Sequence, residues 1–177
     1  KNEGVKDARI EQTLNEITNN IGKIAGIYEV TPDLYLDLGL LTDGFEGLDF
    51  SISEGRMLVL DKNGRLVSVS IDTKKTRVLV GPEKLKEARF ASVYSDRNFV
   101  LVDEKIVEVL GQGTKTVIEK DWESARGMHT FASNIYLMDK GKNEVLRYTL
   151  GSEGYGSGKN WFAPGIKVDL TNVVSWS

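Results

Sequence analysis

Residues 135–150 read IYLMDKGKNEVLRYTL. An apolar run ends at Asp139, a polar turn follows through Lys140, Gly141, Lys142 and Asn143, and a second run starts at Val145. The same shape occurs twice earlier. Residues 57–69 read MLVLDKNGRLVSV and residues 99–109 read FVLVDEKIVEV. Short apolar runs bounded by turn residues read as strands. Three copies of one hairpin point to a repeat array.

Working outward, a serine ends a short strand-like stretch ahead of each hairpin, at Ser53, Ser95 and Ser133, and again at Ser177. The spacing is about 40 residues, the period of a four-stranded propeller blade. The stretches expected as inner strands are 50–53, 92–95, 130–133 and 174–177. Fourth strands are expected at 77–80, 116–119 and 161–163. Asn63-Gly64 supplies the left-handed residues of a tight turn, and Gly111, Gly113 and Gly141 serve similar turns. The expected fold class is therefore all-β: a partial β-propeller of four-stranded antiparallel blades with an N-terminal amphipathic α-helix.

The domain reading has two parts, an amphipathic helix or stalk over 1–26 and a partial propeller over 27–177. In the first part Ile10, Leu14, Ile17, Ile21 and Ile24 fall at alternating spacings of four and three. That is one face of a helix and also a heptad seam. Gly26 is the expected stop, and Gly22 weakens the last turn. Such a helix either packs on the side of the domain or forms a stalk or short coiled coil. From residue 27 the period becomes two. Residues 27–30 read as a strand, Thr31, Pro32 and Asp33 as a turn, and 34–41 as an outermost strand that completes the last blade of a closed ring. Further C-terminal blades are expected, with exposed blade edges prone to self-association in their absence.

Composition narrows the classes. Of 177 residues, 40% are hydrophobic and 28% charged, with a net charge of −3. Acidic and basic residues interleave without a basic stripe, which argues against a nucleic-acid partner. The chain has no cysteine, so thiolate chemistry, disulfides and Cys-based zinc sites are excluded from it. No apolar run approaches the roughly 18 residues of a membrane span. No signal peptide is visible. The first residue is Lys1, and we expect both ends to be cut from a longer protein.

Each candidate for chemistry has a structural alternative. Asp61, Asp103 and Asp139 recur at one position and read as turn caps. Residues 61–64, DKNG, lack the ligand series and closing glutamate of a calcium loop. His129 is the only histidine. It lies on an inner strand with Arg126 just before it, facing the expected central channel, so it is either a channel ligand or general base, or a hydrogen-bonded structural side chain. The four serines lack a nucleophile elbow and read as turn-bonding hydroxyls. Residues 151–158, GSEGYGSG, are not a phosphate-binding loop. They read as a long flexible loop between outer strands, with Tyr155 and Trp161 either exposed for peptide or glycan contact or, for Trp161, packed between blades. Trp122 and Trp176 read as inter-blade core. Asp96 and Arg97, with Arg126 and His129, mark the loops flanking the inner strands.

Residues 137–148, LMDKGKNEVLRY, resemble the repeats of NHL-type and related six-bladed propellers: apolar strand, Asp, short Gly/Asn turn, basic-aromatic strand. The Gly-His and Trp-Asp pairs of WD repeats and the Asp-box of sialidase-type propellers are absent. The region after residue 27 is also similar to propeller regions of membrane-anchored proteins from uncultured candidate-phylum bacteria. That resemblance implies an extracytoplasmic position. The expected function is a non-catalytic binding, sensor or scaffold module for protein, peptide or carbohydrate, with no cofactor and no metal. The alternatives are a channel-sited lactonase or lyase and a self-assembling structural module. The enzyme alternative requires acidic and histidine side chains on inner strands, where this sequence has few.

Overall fold

The computed structural model describes residues 7–26, 30–174 and 176. They divide into two units, Lys1–Tyr35 and Leu36–Ser177.

In the first unit, α1 (Ala8–Ala25) begins where the Asp7 side chain accepts the Arg9 N–H. It ends at Gly26, whose φ of 68° is the left-handed conformation in which a Cβ is strained. No helix among the described residues is long and apolar enough to cross a membrane.

Among the described residues the second unit contains three four-stranded antiparallel sheets. The first holds β1 (Gly47–Ser53), β2 (Arg56–Asp61), β3 (Leu66–Ser70) and β4 (Thr76–Val80), in that order. The second holds β5 (Ala88–Tyr94), β6 (Arg97–Val102), β7 (Lys105–Leu110) and β8 (Gly113–Glu119). The third holds β9 (Ala125–Phe131), β10 (Asn134–Asp139) and β11 (Glu144–Tyr148). A small hairpin follows, β12 (Leu150–Gly151) with β13 (Gly154–Tyr155), before β14 (Lys159–Asn160) completes the third sheet on β11. The expected long loop thus carries secondary structure of its own.

The first strands β1, β5 and β9 lie side by side. Each carries a bulge at one matching place, with Leu48, Arg89 and Arg126 as the extra residues. The sheets are blades, and their faces form the core. Leu58, Leu60 and Leu66 meet Ala91, Val93 and Val100 between the first and second blades. Phe99, Leu101 and Ile106 meet Met128, Ile135 and Leu137 between the second and third. Both faces of a middle blade are buried, which is why its strands read as unbroken apolar runs. Trp122 belongs to this core, as expected, and donates from Nε1 to the Tyr148 hydroxyl at 2.9 Å.

Several expectations need correction. Residues 34–41 are not a strand. The chain is irregular to Asp37 and then forms a 3-10 turn, Leu38–Leu40, with the Asp37 carboxylate accepting the Gly39 N–H at 2.8 Å. Leu36 and Leu38 pack on Val59, Val67 and Val69, whereas Leu34 and Leu40 are 83% and 88% exposed. Alternating leucines satisfy the strand pattern, but a strand also needs a ladder partner, and Asp37 with Gly39 favours a local turn. The fourth strand of the third blade is Lys159–Asn160, not 161–163. There the Asn160 side chain accepts the Phe162 N–H at 3.0 Å and turns the chain away. The strand expected at 27–30 falls mostly on residues 27–29, outside the described residues; Val30 is irregular. For the stretch 174–177, Ser175 and Ser177 lie outside the described residues, and Val174 and Trp176 are irregular.

The serine register also shifts. Ser53 ends β1 and pairs with Arg56 of β2. Its equivalents facing Arg97 and Asn134 are Tyr94 and Phe131. Ser95 and Ser133 instead sit in the turns, with φ of 52° and 64°. Asp103 is likewise out of register with Asp61 and Asp139. Val102 holds the equivalent place because the β6–β7 turn is only two residues long, Val102 pairing with Lys105.

Candidate ligand-binding cleft

An innermost strand is an edge strand, and its outward N–H groups need acceptors from outside its own sheet. Residues 49–53, DFSIS, provide them. The side chains of Asp49, Ser51 and Ser53 accept the N–H groups of Ala91, Val93 and Ser95 at 2.8, 3.1 and 3.3 Å. One junction further on, Ser92 Oγ bonds Thr130 Oγ1 at 2.7 Å in a fully buried contact. The inner strands are therefore laced together by short polar side chains. The sequence reading missed Asp49, although its alternation with Ser51 and Ser53 was the available signal.

Beside this ladder lies a cleft of about 460 Å³ along β1, β5 and β9. Phe50, Phe90 and Trp176 supply aromatic surface, and Asp49, Arg126 and His129 supply polar groups. Arg126 is exposed because it is the extra residue of the β9 bulge. His129 is half-buried, and burial holds its pKa below the ordinary imidazole value. Its ring meets the Trp176 indole edge-on, with centroids 6.5 Å apart. Gly127 makes room for that indole, since a Cβ there would stand 2.1 Å from Trp176 Nε1. Burial also raises the pKa of Asp49, partly offset by the N–H groups of Ala91 and Phe50.

The remaining candidates lie elsewhere in this unit. Arg97 bonds both oxygens of Glu108, at 2.7 and 3.0 Å, and donates to the Tyr155 hydroxyl at 3.2 Å. Its guanidinium also lies 4.8 Å from the centre of the Phe99 ring, and Phe99 meets Tyr155 edge-on at 5.9 Å. Tyr155 is thus a half-buried clamp from the third blade onto the second, not an exposed contact. Asp96 is exposed in the neighbouring turn, where its charge acts on Arg56. Trp161 is 54% exposed, which removes the packed alternative for it, and it meets Tyr136 edge-on at 6.1 Å.

The repeated carboxylates divide by role. Asp61 accepts the Asn63 and Arg65 N–H groups and pairs with the Arg65 guanidinium at 2.9 Å. Asp139 accepts from Glu123, Ser124 and Gly141. Both are fully buried caps, whereas Asp103 is exposed. Among the described residues no group of three or more His, Asp or Glu is placed to hold a metal ion. A larger hollow of about 870 Å³ is lined by charges of both signs, including Lys62, Lys86, Arg89, Glu87 and Glu104. Arg89 is occupied there by the Asp103 carbonyl at 2.6 Å. The smaller cleft has the apolar walls and few convergent polar groups typical of a ligand site.

No family model matches the sequence, and no curated protein matches it. Solved structures do resemble the fold. The nidogen/laminin complex matches with a TM-score of 0.53 at 11% identity, over 70% of this chain and 51% of that one. YCF48 from Cyanidioschyzon merolae matches with 0.47 at 12%, over 68% and 45%. BamB from Moraxella catarrhalis matches with 0.44 at 14%, over 63% and 34%. The chain spans about half or less of the length of these proteins. The likeness to the nidogen complex and the three four-stranded blades define the class of fold. The second unit is part of a β-propeller, and a helix precedes it.

Proposed function

We propose that the chain is a binding module that takes a peptide or carbohydrate segment of a partner in the cleft along β1, β5 and β9. The observation that carries this reading is the pairing of aromatic walls, Phe50, Phe90 and Trp176, with three polar groups, Asp49, Arg126 and His129, in one concavity. Aromatic rings contribute contact area at low entropic cost, and the polar groups fix orientation. A neutral His129 both donates and accepts, and Arg126 suits carboxylate or hydroxyl groups. The hairpin over 137–148 supports an NHL-type assignment within the propellers. The outward-facing, membrane-anchored position belongs to the same reading and rests on sequence resemblance.

The test is a peptide- and glycan-array screen with the whole chain, followed by calorimetry on each hit. Arg126→Ala and Phe50→Ala, both at exposed positions, are expected to weaken a true cleft ligand about tenfold each. A ligand whose affinity neither variant changes overturns the site. Lactone hydrolysis abolished by His129→Ala replaces the binding reading with the enzymatic one.

A further inference from the structure

Within its own unit the seam of α1 has no cover among the described residues. Ile10, Leu14, Ile17 and Ile21 are 55%, 63%, 51% and 60% exposed. Their spacing sets a heptad register in which Ile10 and Ile17 take position d, and Leu14 and Ile21 take position a. The flanking e and g positions decide what can cover such a seam. They are Glu11, Thr13, Thr18, Asn20 and Ala25, with one charge among the five. A partner chosen by charge complementarity requires charges at these places. Here the charges Arg9, Glu16 and Lys23 sit one position past the flanks, on c.

Three of the flanking polar side chains already donate within the helix. Thr13 and Thr18 donate their hydroxyls to the carbonyls of Arg9 and Leu14, at 2.9 and 2.8 Å. Asn20 donates its amide to the Glu16 carbonyl at 2.8 Å. These donors do not need water, so covering them carries little desolvation cost. The result is a face wider than the a/d seam, small and almost uncharged, flanking β-branched residues at d. Isoleucine at d, with leucine or isoleucine at a, favours three- or four-stranded parallel bundles over pairs. Such bundles also bury more of e and g, where this helix is small and neutral.

We propose that α1 is a self-association element whose occupant is further copies of the same helix, three or four in parallel. The consequence is that each assembly carries several copies of the propeller unit, and weak single-site contacts multiply into avidity.

The whole chain is the material for the test. Isolated helices of this length are marginal, so sedimentation equilibrium is run up to about 100 µM. A trimer or tetramer is expected, and a monomer or dimer at that concentration overturns the proposal. The charge variant Leu14→Asp/Ile17→Asp is expected to be monomeric with an unchanged β-sheet circular dichroism spectrum. Its retaining the larger assembly places the contact elsewhere and also overturns the proposal. The swap Ile10→Leu/Leu14→Ile/Ile17→Leu keeps the seam apolar and is expected to shift the assembly toward a dimer. Because the chain has no cysteine, Ile10→Cys introduces a single thiol. Ready disulfide cross-linking between copies is expected for parallel helices, and its failure in the assembled state rules out parallel packing.

Discussion

The Asp49 carboxylate accepts the backbone N–H of Ala91 at 2.8 Å, from the inner strand of one blade to that of the next. Ser51 and Ser53 repeat the contact with Val93 and Ser95. The edge N–H groups of β5 are thus satisfied without a neighbouring strand, and the cleft has a braced wall. Asp49 also lines the cleft, so in the proposed binding role one side chain would serve both structure and recognition.

Asp49→Ala leaves the Ala91 N–H without its acceptor and is expected to destabilise the fold by about 1–3 kcal/mol. Asp49→Asn keeps an acceptor oxygen and removes a charge that burial disfavours. Because burial raises the folded pKa, the folded state holds its proton at pH values where the unfolded state has lost it. Wild-type stability therefore falls as pH rises through this window, and the Asn variant escapes that loss. Urea midpoints across pH 3–7 check it: the Asn variant gains relative to wild type as pH rises, and a constant gap between the two contradicts the assignment.

His129 titrates in the opposite direction. Burial lowers its folded pKa, so the unfolded state takes up the proton first as pH falls. Stability from the neutral ring is complete above roughly 6.5 and is lost below it. An NMR titration of the single histidine is expected to give a midpoint below the ordinary imidazole value, and His129→Gln is expected to flatten the loss of stability on acidification.

The three repeated carboxylates are expected to separate in thermal or urea melts. Asp139→Ala strands three N–H groups and is expected to cost about 3 kcal/mol or more. Asp103→Ala, at an exposed position with left-handed φ, is expected to cost about 1 kcal/mol through the backbone alone. Asp103→Gly is expected to be neutral or stabilising, because φ there is 51°.

Gly127→Ala places a methyl group against the Trp176 indole. The ring must leave its seat against His129, and tryptophan emission is expected to shift to the red. Tyr148→Phe is the matching probe at the other buried indole. It leaves Trp122 Nε1 without its acceptor and is expected to cost about 1–2 kcal/mol with the fold retained.

Much of the architecture was readable from local pattern. The apolar runs read as ending at Asp61, Asp103 and Asp139 became middle strands, the second stopping one residue earlier at Val102; α1 ended at Gly26, and Trp122 was buried, because each depends on short-range periodicity or turn chemistry. Residues 34–41 and 161–163 misled because alternation describes a strand's faces but says nothing of a ladder partner. His129 was legible as an inner-strand residue with Arg126 expected just before the strand, whereas the structure includes both in β9. Asp49 and Trp176 were not legible as cleft residues, because each acquires its place from residues distant in sequence.

What the order of amino acids determined by itself was the blade: strand, turn and strand, set by apolar runs and the residues that break them, and a helix with a heptad face. What only the tertiary structure decided was which blade's side chains serve another blade's backbone. Asp49 reaches Ala91, Tyr155 reaches Arg97, and Gly127 receives Trp176. Those contacts join positions tens of residues apart, and hydrogen bonding and packing select them only once the sheets stand side by side.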